Sequence, residues 1–287
     1  MCVDYKNTKS AQDILKLQKE DGTWGNQFHS LALPSSKYPI ATEQALRRLK
    51  ILGFTMEDEP IQRSVNCMVS CLRGERKIDD YSEKGHDWYL FTKLMLATWI
   101  REFAPDNEEA VTFAKHWANI IEKAFLRGRY EHGTYMEAYK NEFGSIPKGG
   151  REIDFVDFYH LNLIQGMLSE KTEECLLEYV INKSNGIYYI YSKPIYQVPA
   201  IFDSIETSRY VSAIEILCGF SKAKDFLKFV IPWLEQNRDT NGQWDLGTKV
   251  KDGIYFPLSD SWRKEEDRKA DCTYRIESII NKLKINQ

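Results

Sequence analysis

A chain of 287 residues that is 43% hydrophobic and 28% charged can bury a real core, in one large domain or two small ones, and is not disordered, collagen-like or low-complexity. Its 39 basic and 42 acidic residues leave a formal net charge of -3, which offers no electrostatic case for nucleic acid or an anionic membrane surface. Aromatic residues make up 13%, and so many rings must line either a thick core or a cavity.

Along the chain, residues 1–9 are polar and lack the apolar centre of a signal peptide. Residues 12–19 then carry a single apolar stripe at helical spacing, and residues 41–52 are apolar on more sides. Residues 61–72 are one-sided again, while 88–100 (WYLFTKLMLATWI) are apolar almost all round. The clearest amphipathic stretch is 108–125, with Val111, Ala114, Trp117, Ala118 and Ile121 on one face. Residues 155–168 and 211–220 are predicted as all-round helices, and 173–181 and 222–234 as one-sided ones. Pro232 is expected to kink the last of these or mark its final turn. Residues 272–283 close the series, and 188–196 (YYIYSKPIY) form the one β-like stretch, a small hairpin or lid. No run approaches the ~18 uninterrupted apolar residues of a membrane span.

The turns repeat as well. Asp21-Gly-Thr-Trp24, His132-Gly-Thr-Tyr135, Asn185-Gly-Ile-Tyr188 and Asn241-Gly-Gln-Trp244 share a polar residue, glycine, any residue, then Trp or Tyr, with Gly85-His-Asp-Trp88 a weaker cousin. The interval, roughly 50–60 residues, suits repeats of paired helices. Glycine supplies a left-handed helix exit, and the aromatic folds back on the turn. A helix apolar on every side has neighbours on every side, and an open stack would leave such helices half exposed. The expected fold is therefore all-α: a single α/α toroid (α/α barrel) of inner and outer helices. It spans 1–287 as one domain around an aromatic cavity, and its two unpaired end helices complete each other.

Gln18-x-x-x-Gly22-x-Trp24 and Gln236-x-x-x-x-x-Gly242-x-Trp244 resemble the QW repeats of the terpenoid cyclase and protein prenyltransferase superfamily, the squalene-cyclase-like α/α toroids. The resemblance implies that these Gln, Gly and Trp residues tie outer helices to the barrel. It also implies an isoprenoid or other apolar ligand inside. Of the family's catalytic markers, DxDD does not occur; the nearest sequences are Asp154-Phe-Val-Asp157 and Asp252. The zinc set is incomplete too, because Asp271 and Cys272 are adjacent without a spacer and no His follows. Asp79-Asp80-Tyr-Ser-Glu83 matches a magnesium-diphosphate motif but stands in a polar connection, and is read as a solvated loop. No metal and no cofactor are expected.

Cysteines at 2, 67, 71, 175, 218 and 272 form no CxxC pair, and with the five His they make no zinc-spaced cluster. They read as buried free thiols of a cytoplasmic protein. Acidic residues stand near the start of each inner helix: Glu43, Asp87, Asp157 (or Asp154), Glu206 and Asp271. Arg47, Arg209 and Arg275 follow three of them by one turn. Such acids offset a helix dipole by about 0.3–1 kcal/mol each. Crowded above an apolar cavity, one of them would instead have a raised pKa and act as a general acid.

The catalytic candidates are thus Asp157, His160, Asp271, Asp87 and Glu206. Asp157 and His160, at i and i+3, are the best local pair, although a core histidine bonded to a carbonyl is the plainer reading. Trp88, Tyr89, Phe158, Tyr159 and Tyr210 are candidates for the substrate-binding wall, where rings face a carbocation. Trp262, in residues 257–263, covers the mouth. The expected function is binding of an isoprenoid or other apolar small molecule, with acid-initiated cyclase or transferase chemistry. The alternatives are a non-catalytic toroid scaffold for a peptide or protein partner and, third, a carbohydrate-active toroid using two rim carboxylates. Oligomeric state is left open.

Overall fold

The structure, a computed structural model, describes residues 5–29, 39–80, 82, 85, 87–148 and 154–284. Among them the helices are α1 (Lys9–Lys16), α2 (Thr42–Ile51), α3 (Glu59–Leu72), α4 (Trp88–Phe103), α5 (Glu108–Ala124) and α6 (His132–Phe143). They continue with α7 (Phe158–Leu163), α8 (Glu170–Asn182), α9 (Ile205–Leu217), α10 (Ala223–Phe226), α11 (Val230–Gln236) and α12 (Glu265–Lys284). The described residues contain no β-strand, and the fold is all-α. Residues 188–196 make only single-residue bridges, Tyr188 to Asp157 and Tyr191 to Ile187. None of the described helices is long and apolar enough to cross a membrane.

Burial follows the periodicity of the sequence. Helix α3 buries one stripe, Ile61, Ser64, Val65, Cys67 and Met68, and α8 another, Thr172, Glu173, Leu176, Leu177, Val180 and Ile181. Helix α4 instead buries every residue from Leu94 to Ile100. Helix α9 buries Thr207 to Leu217 except Arg209 and Glu215. Each Leu, Ile or Val so removed from water contributes about 1.5–3 kcal/mol before entropy is charged against it.

The chain falls into two compact units. The first comprises Met1–Lys84, Trp88–Phe113 and Lys251–Asp267. Within it α3 packs on α4, and the Arg48 guanidinium, 2% exposed, anchors the returning segment through the carbonyls of Ile254 (3.0 Å) and Pro257. The buried Glu43 carboxylate accepts from Arg47 (3.1 Å) and from Trp99 Nε1 (3.3 Å). The second unit comprises Gly85–Asp87, Ala114–Val250 and Arg268–Gln287. There α9 packs on α7, and buried Arg275 of α12 donates to Glu215 (2.8 and 2.5 Å) and to Ser212 Oγ (2.9 Å). Among the described cysteines, Cys67, Cys71, Cys175, Cys218 and Cys272 are all free thiols.

Each unit holds a tryptophan clasp, and the two share the hydrogen bonds made by their tryptophans. Trp24 Nε1 donates to the carbonyl of Ile14 (2.8 Å) and Trp244 Nε1 to that of Leu234 (2.7 Å), in each case ten residues back. The backbone N–H of Trp24 donates to Thr42 Oγ1 (2.9 Å) on α2, and that of Trp244 to Thr273 Oγ1 (3.1 Å) on α12. Asp21 and Asp239 turn their carboxylates onto the backbone N–H groups of Thr23 (3.0 Å) and Gln243 (2.9 Å) respectively. Gln18 donates to the carbonyl of Gly22 (3.0 Å), but in the second clasp Arg238, not Gln236, reaches Gly242 (2.9 Å). Each clasp therefore joins the helix before the turn to the helix after it.

The glycines of the two clasps differ in their surroundings. Both have positive φ, +86° at Gly22 and +80° at Gly242. A Cβ on Gly22 would stand 2.5 Å from the Arg63 carbonyl carbon, whereas one on Gly242 would meet only the tip of Arg238 at 3.0 Å. Gly242→Ala is therefore expected to cost about 1–2 kcal/mol of left-handed strain. Gly22→Ala adds a backbone clash and should cost about 2–5 kcal/mol. Urea unfolding of the two variants checks the order.

Asp245 lies directly after the second clasp. Burial pushes its carboxyl up, but the bidentate Arg268 guanidinium (2.7 and 2.6 Å) and the Gly247 N–H outweigh this and hold it below the ordinary value. A carboxyl depressed in the folded state stabilises fully above its unfolded pKa of about 3.9, and that contribution is lost as pH falls through the folded value. Asp245→Asn should thus lose about 1 kcal/mol at neutral pH and show a shallower fall in melting temperature below about pH 4.

Four sequence expectations are corrected locally. His132-Gly-Thr-Tyr135 is not a turn but the first turn of α6. The helix expected over 155–168 is confined to the six residues of α7, capped by Asp157 at its start. The stretch 222–234 is split into α10 and α11, and Pro232 lies in the first turn of α11, where its missing N–H costs nothing. In Asn185-Gly-Ile-Tyr188 the tyrosine is exposed and Ile187 is the buried residue. Tyr81, Glu83 and His86 of the two weaker motifs lie outside the described residues.

Candidate functional site

Asp157 has extended backbone (φ -138°, ψ 176°) and is the N-cap of α7. Its Oδ1 accepts the backbone N–H of His160 (2.9 Å), the bond expected of an N-cap. Its Oδ2 lies 2.9 Å from Nδ1 of the same residue. One carboxylate thus fixes both the start of the helix and the imidazole, and both side chains are 1% exposed. With Asp157 ionised, Nδ1 carries the proton it donates, and Nε2 is left as the acceptor.

Among the described residues Nε2 of His160 has no hydrogen-bond partner, and neither has the neighbouring indole N–H of Trp117. The Trp117 and His160 rings meet edge to face, with centroids 4.2 Å apart. Tyr139 (5.7 Å) and Phe143 (5.3 Å) close around the same indole. Tyr135 packs on Phe155 at 5.3 Å; burial raises its phenol well above its ordinary pKa, and Tyr130, Tyr139 and the Asp157 carboxylate add to this. The phenol therefore stays protonated, and aromatic side chains pack around the buried Asp157–His160 pair.

No family model matches the chain, and it matches no curated protein and no solved structure.

The other predicted residues occupy varied settings. Asp271 is buried on α12, a separate helix, beside Cys272, whose thiol burial pushes up to about 12. Glu206, on the first turn of α9, accepts from Lys193 Nζ (2.8 Å) and Tyr191 Oη (3.3 Å). Asp87 is half-buried just before α4. Phe158 and Tyr159 are buried, and both lie 6.2 Å from the ring of Tyr189. Tyr210 is fully buried, donates to the carbonyl of Ile195 (3.0 Å) and packs between Tyr191 and Trp233. Burial drives its phenol pKa up. In the first unit Trp88 is half-buried against Phe91, and Trp262 is buried against Phe256. Tyr89 is 71% exposed under the Lys93 ammonium.

Of the residues singled out in the sequence, the structure brings Asp157 to His160 and Phe158 to Tyr159. Trp117 and Tyr139 were not picked out as site residues, since their only sequence signal was a place on an apolar helix face, and Tyr135 was read as the aromatic of a repeated turn. Among the described residues no three His, Cys, Asp or Glu side chains are grouped to hold a metal.

Proposed function

We propose that the chain is a terpenoid-cyclase-like or prenyltransferase-like protein, an α/α toroid over residues 1–287 that encloses an isoprenoid or other apolar ligand. The observation that carries this reading is the buried Asp157–His160 pair, whose Nε2 has no hydrogen-bond partner among the described residues and whose ring meets Trp117 edge to face among aromatic side chains. As an acceptor such a nitrogen ends carbocation chemistry by taking a proton from the cationic intermediate, and it can start that chemistry only from the doubly protonated imidazolium. Asp157 fixes the tautomer and balances the charge that forms on the ring. The indole face of Trp117 favours cationic neighbours, whether imidazolium or substrate. The matched clasps around Trp24 and Trp244 support the toroid, because each ties one helix to the next across a turn. Its free thiols fit a cytoplasmic setting.

Incubation with squalene and with polyprenyl diphosphates, followed by product analysis, tests the reading. The expected result is a cyclised or transferred product and a ligand-induced rise in melting temperature. Neither product nor rise with any of these substrates would overturn it.

A second reading, a non-catalytic scaffold for a peptide or protein partner, is favoured by the pairing of two rim acids: Glu43 with Arg47 and Glu206 with Lys193. On that reading Asp157→Asn and Asp271→Asn leave cellular function intact. On the first reading Asp157→Asn abolishes it.

A further inference from the structure

The first unit holds a cavity of about 80 Å³ between the Trp24 clasp and helix α3. Its walls include Asp21, Trp24, Gln27, Cys67, Cys71 and Arg76. Cys67 and Cys71 stand one turn apart on α3, with Cys67 buried and Cys71 half-buried, and both line the cavity. Gln27 is 5% exposed, and its Oε1, which belongs to a wall residue of the cavity, has no hydrogen-bond partner among the described residues. A buried amide acceptor left without a donor costs about 1–3 kcal/mol unless something small and polar fills the space. The volume is ample for a molecule of water's size, which needs about 10–15 Å³ on the same measure.

A small hydroperoxide has the required properties: an O–H for Gln27 and an electrophilic oxygen for sulfur. We propose that this cavity is a peroxide-reactive thiol site, in which Cys67 is the attacking residue, Cys71 the resolving one and Gln27 the acceptor that orients the peroxide. The neighbouring Cys71 side chain is the main cause that holds the Cys67 thiol below its ordinary value, against burial and with help from Arg76. A thiol lowered in this way reaches its thiolate, the nucleophilic form, at lower pH than an ordinary cysteine.

In the first step the Cys67 thiolate attacks the near oxygen of the peroxide. The S–O bond forms, the O–O bond breaks, sulfur is oxidised by two electrons and the hydroxide that leaves takes a proton to become water. In the second step the Cys71 sulfur attacks Cys67–SOH, so that an S–S bond forms, the S–O bond breaks and water departs. Helical geometry sets Cα atoms four residues apart at about 6 Å, inside the range a disulfide spans. Cys71 lies in the last turn of α3, which ends at Leu72.

The test treats the reduced full-length protein with hydrogen peroxide and maps the products by mass spectrometry with dimedone present. Wild type is expected to yield a Cys67–Cys71 disulfide, Cys71→Ser a dimedone adduct on Cys67, and Cys67→Ser no adduct on Cys71. Gln27→Leu should slow oxidation of Cys67 about tenfold, the share of one orienting hydrogen bond to the reacting peroxide. Cys218 and Cys272, whose thiols burial pushes up to about 12, serve as controls in the same chain. Oxidation of Cys67 no faster than these two, or labelling confined to Cys71, would overturn the proposal. The wild-type map decides even if a variant fails to fold.

Discussion

Replacing Trp24 by alanine is expected to destabilise the protein by about 3–5 kcal/mol, the range for emptying a buried tryptophan site. The indole is fully buried, and its Nε1 satisfies the Ile14 carbonyl, which truncation leaves without that donor. The same change at Trp244, 2% exposed and bonded to Leu234, is expected to cost a similar amount. Trp→Phe at either position keeps most of the apolar volume but loses the N–H, so about 1–3 kcal/mol should go with the hydrogen bond. Urea unfolding of the four variants measures this. Losses below about 1 kcal/mol for both alanine variants would show that the clasps do not hold the helices together.

The second large effect separates two duties of one side chain. Asp157→Ala removes the N-cap of α7, typically about 1 kcal/mol, and also strands the Nδ1–H of a buried histidine, about 1–3 kcal/mol more. The expected loss is about 2–4 kcal/mol. Asp157→Asn keeps the shape, and its carbonyl still accepts the His160 N–H, so stability should change by less than about 1 kcal/mol. The Asn amide, however, donates to Nδ1 and forces the proton onto Nε2, the wrong tautomer for a base. Activity is then expected to fall about 10²–10⁴-fold, as other histidine–carboxylate pairs do when the carboxylate becomes an amide. Unfolding curves and turnover measured on the same two proteins check both halves. Equal turnover for Asp157→Asn and wild type would remove Asp157 from the chemistry.

Long, strongly patterned helices were readable almost to the residue. The expected 108–125 became Glu108–Ala124, and 88–100 became Trp88–Phe103, because sustained apolar spacing leaves few alternatives. Short elements were not, because their limits depend on tertiary partners. Gly133 reads as a turn signal, yet α6 forms around it since Tyr135, Ala138 and Tyr139 have a core to enter. Helix α7 is short because Asp157 caps it after an extended approach and Gly166, at φ +70°, lies just beyond its end.

Asp157 and His160 were legible as a pair, since three residues of helix place them on one face. Trp117 was not, because only folding brings a residue 43 positions earlier against that imidazole. The second clasp carried a similar trap. Gln236 looked like the partner of Gly242 in sequence, but Arg238 occupies the position that Gln18 has in the first clasp.

Native mass spectrometry of the purified full-length protein, before and after addition of squalene and geranylgeranyl diphosphate, tests the proposed apolar site most directly. The account predicts a stoichiometric non-covalent adduct of isoprenoid mass that is lost on unfolding and accompanied by a higher melting temperature. A protein that keeps its bare mass and its melting temperature with both ligands would contradict it.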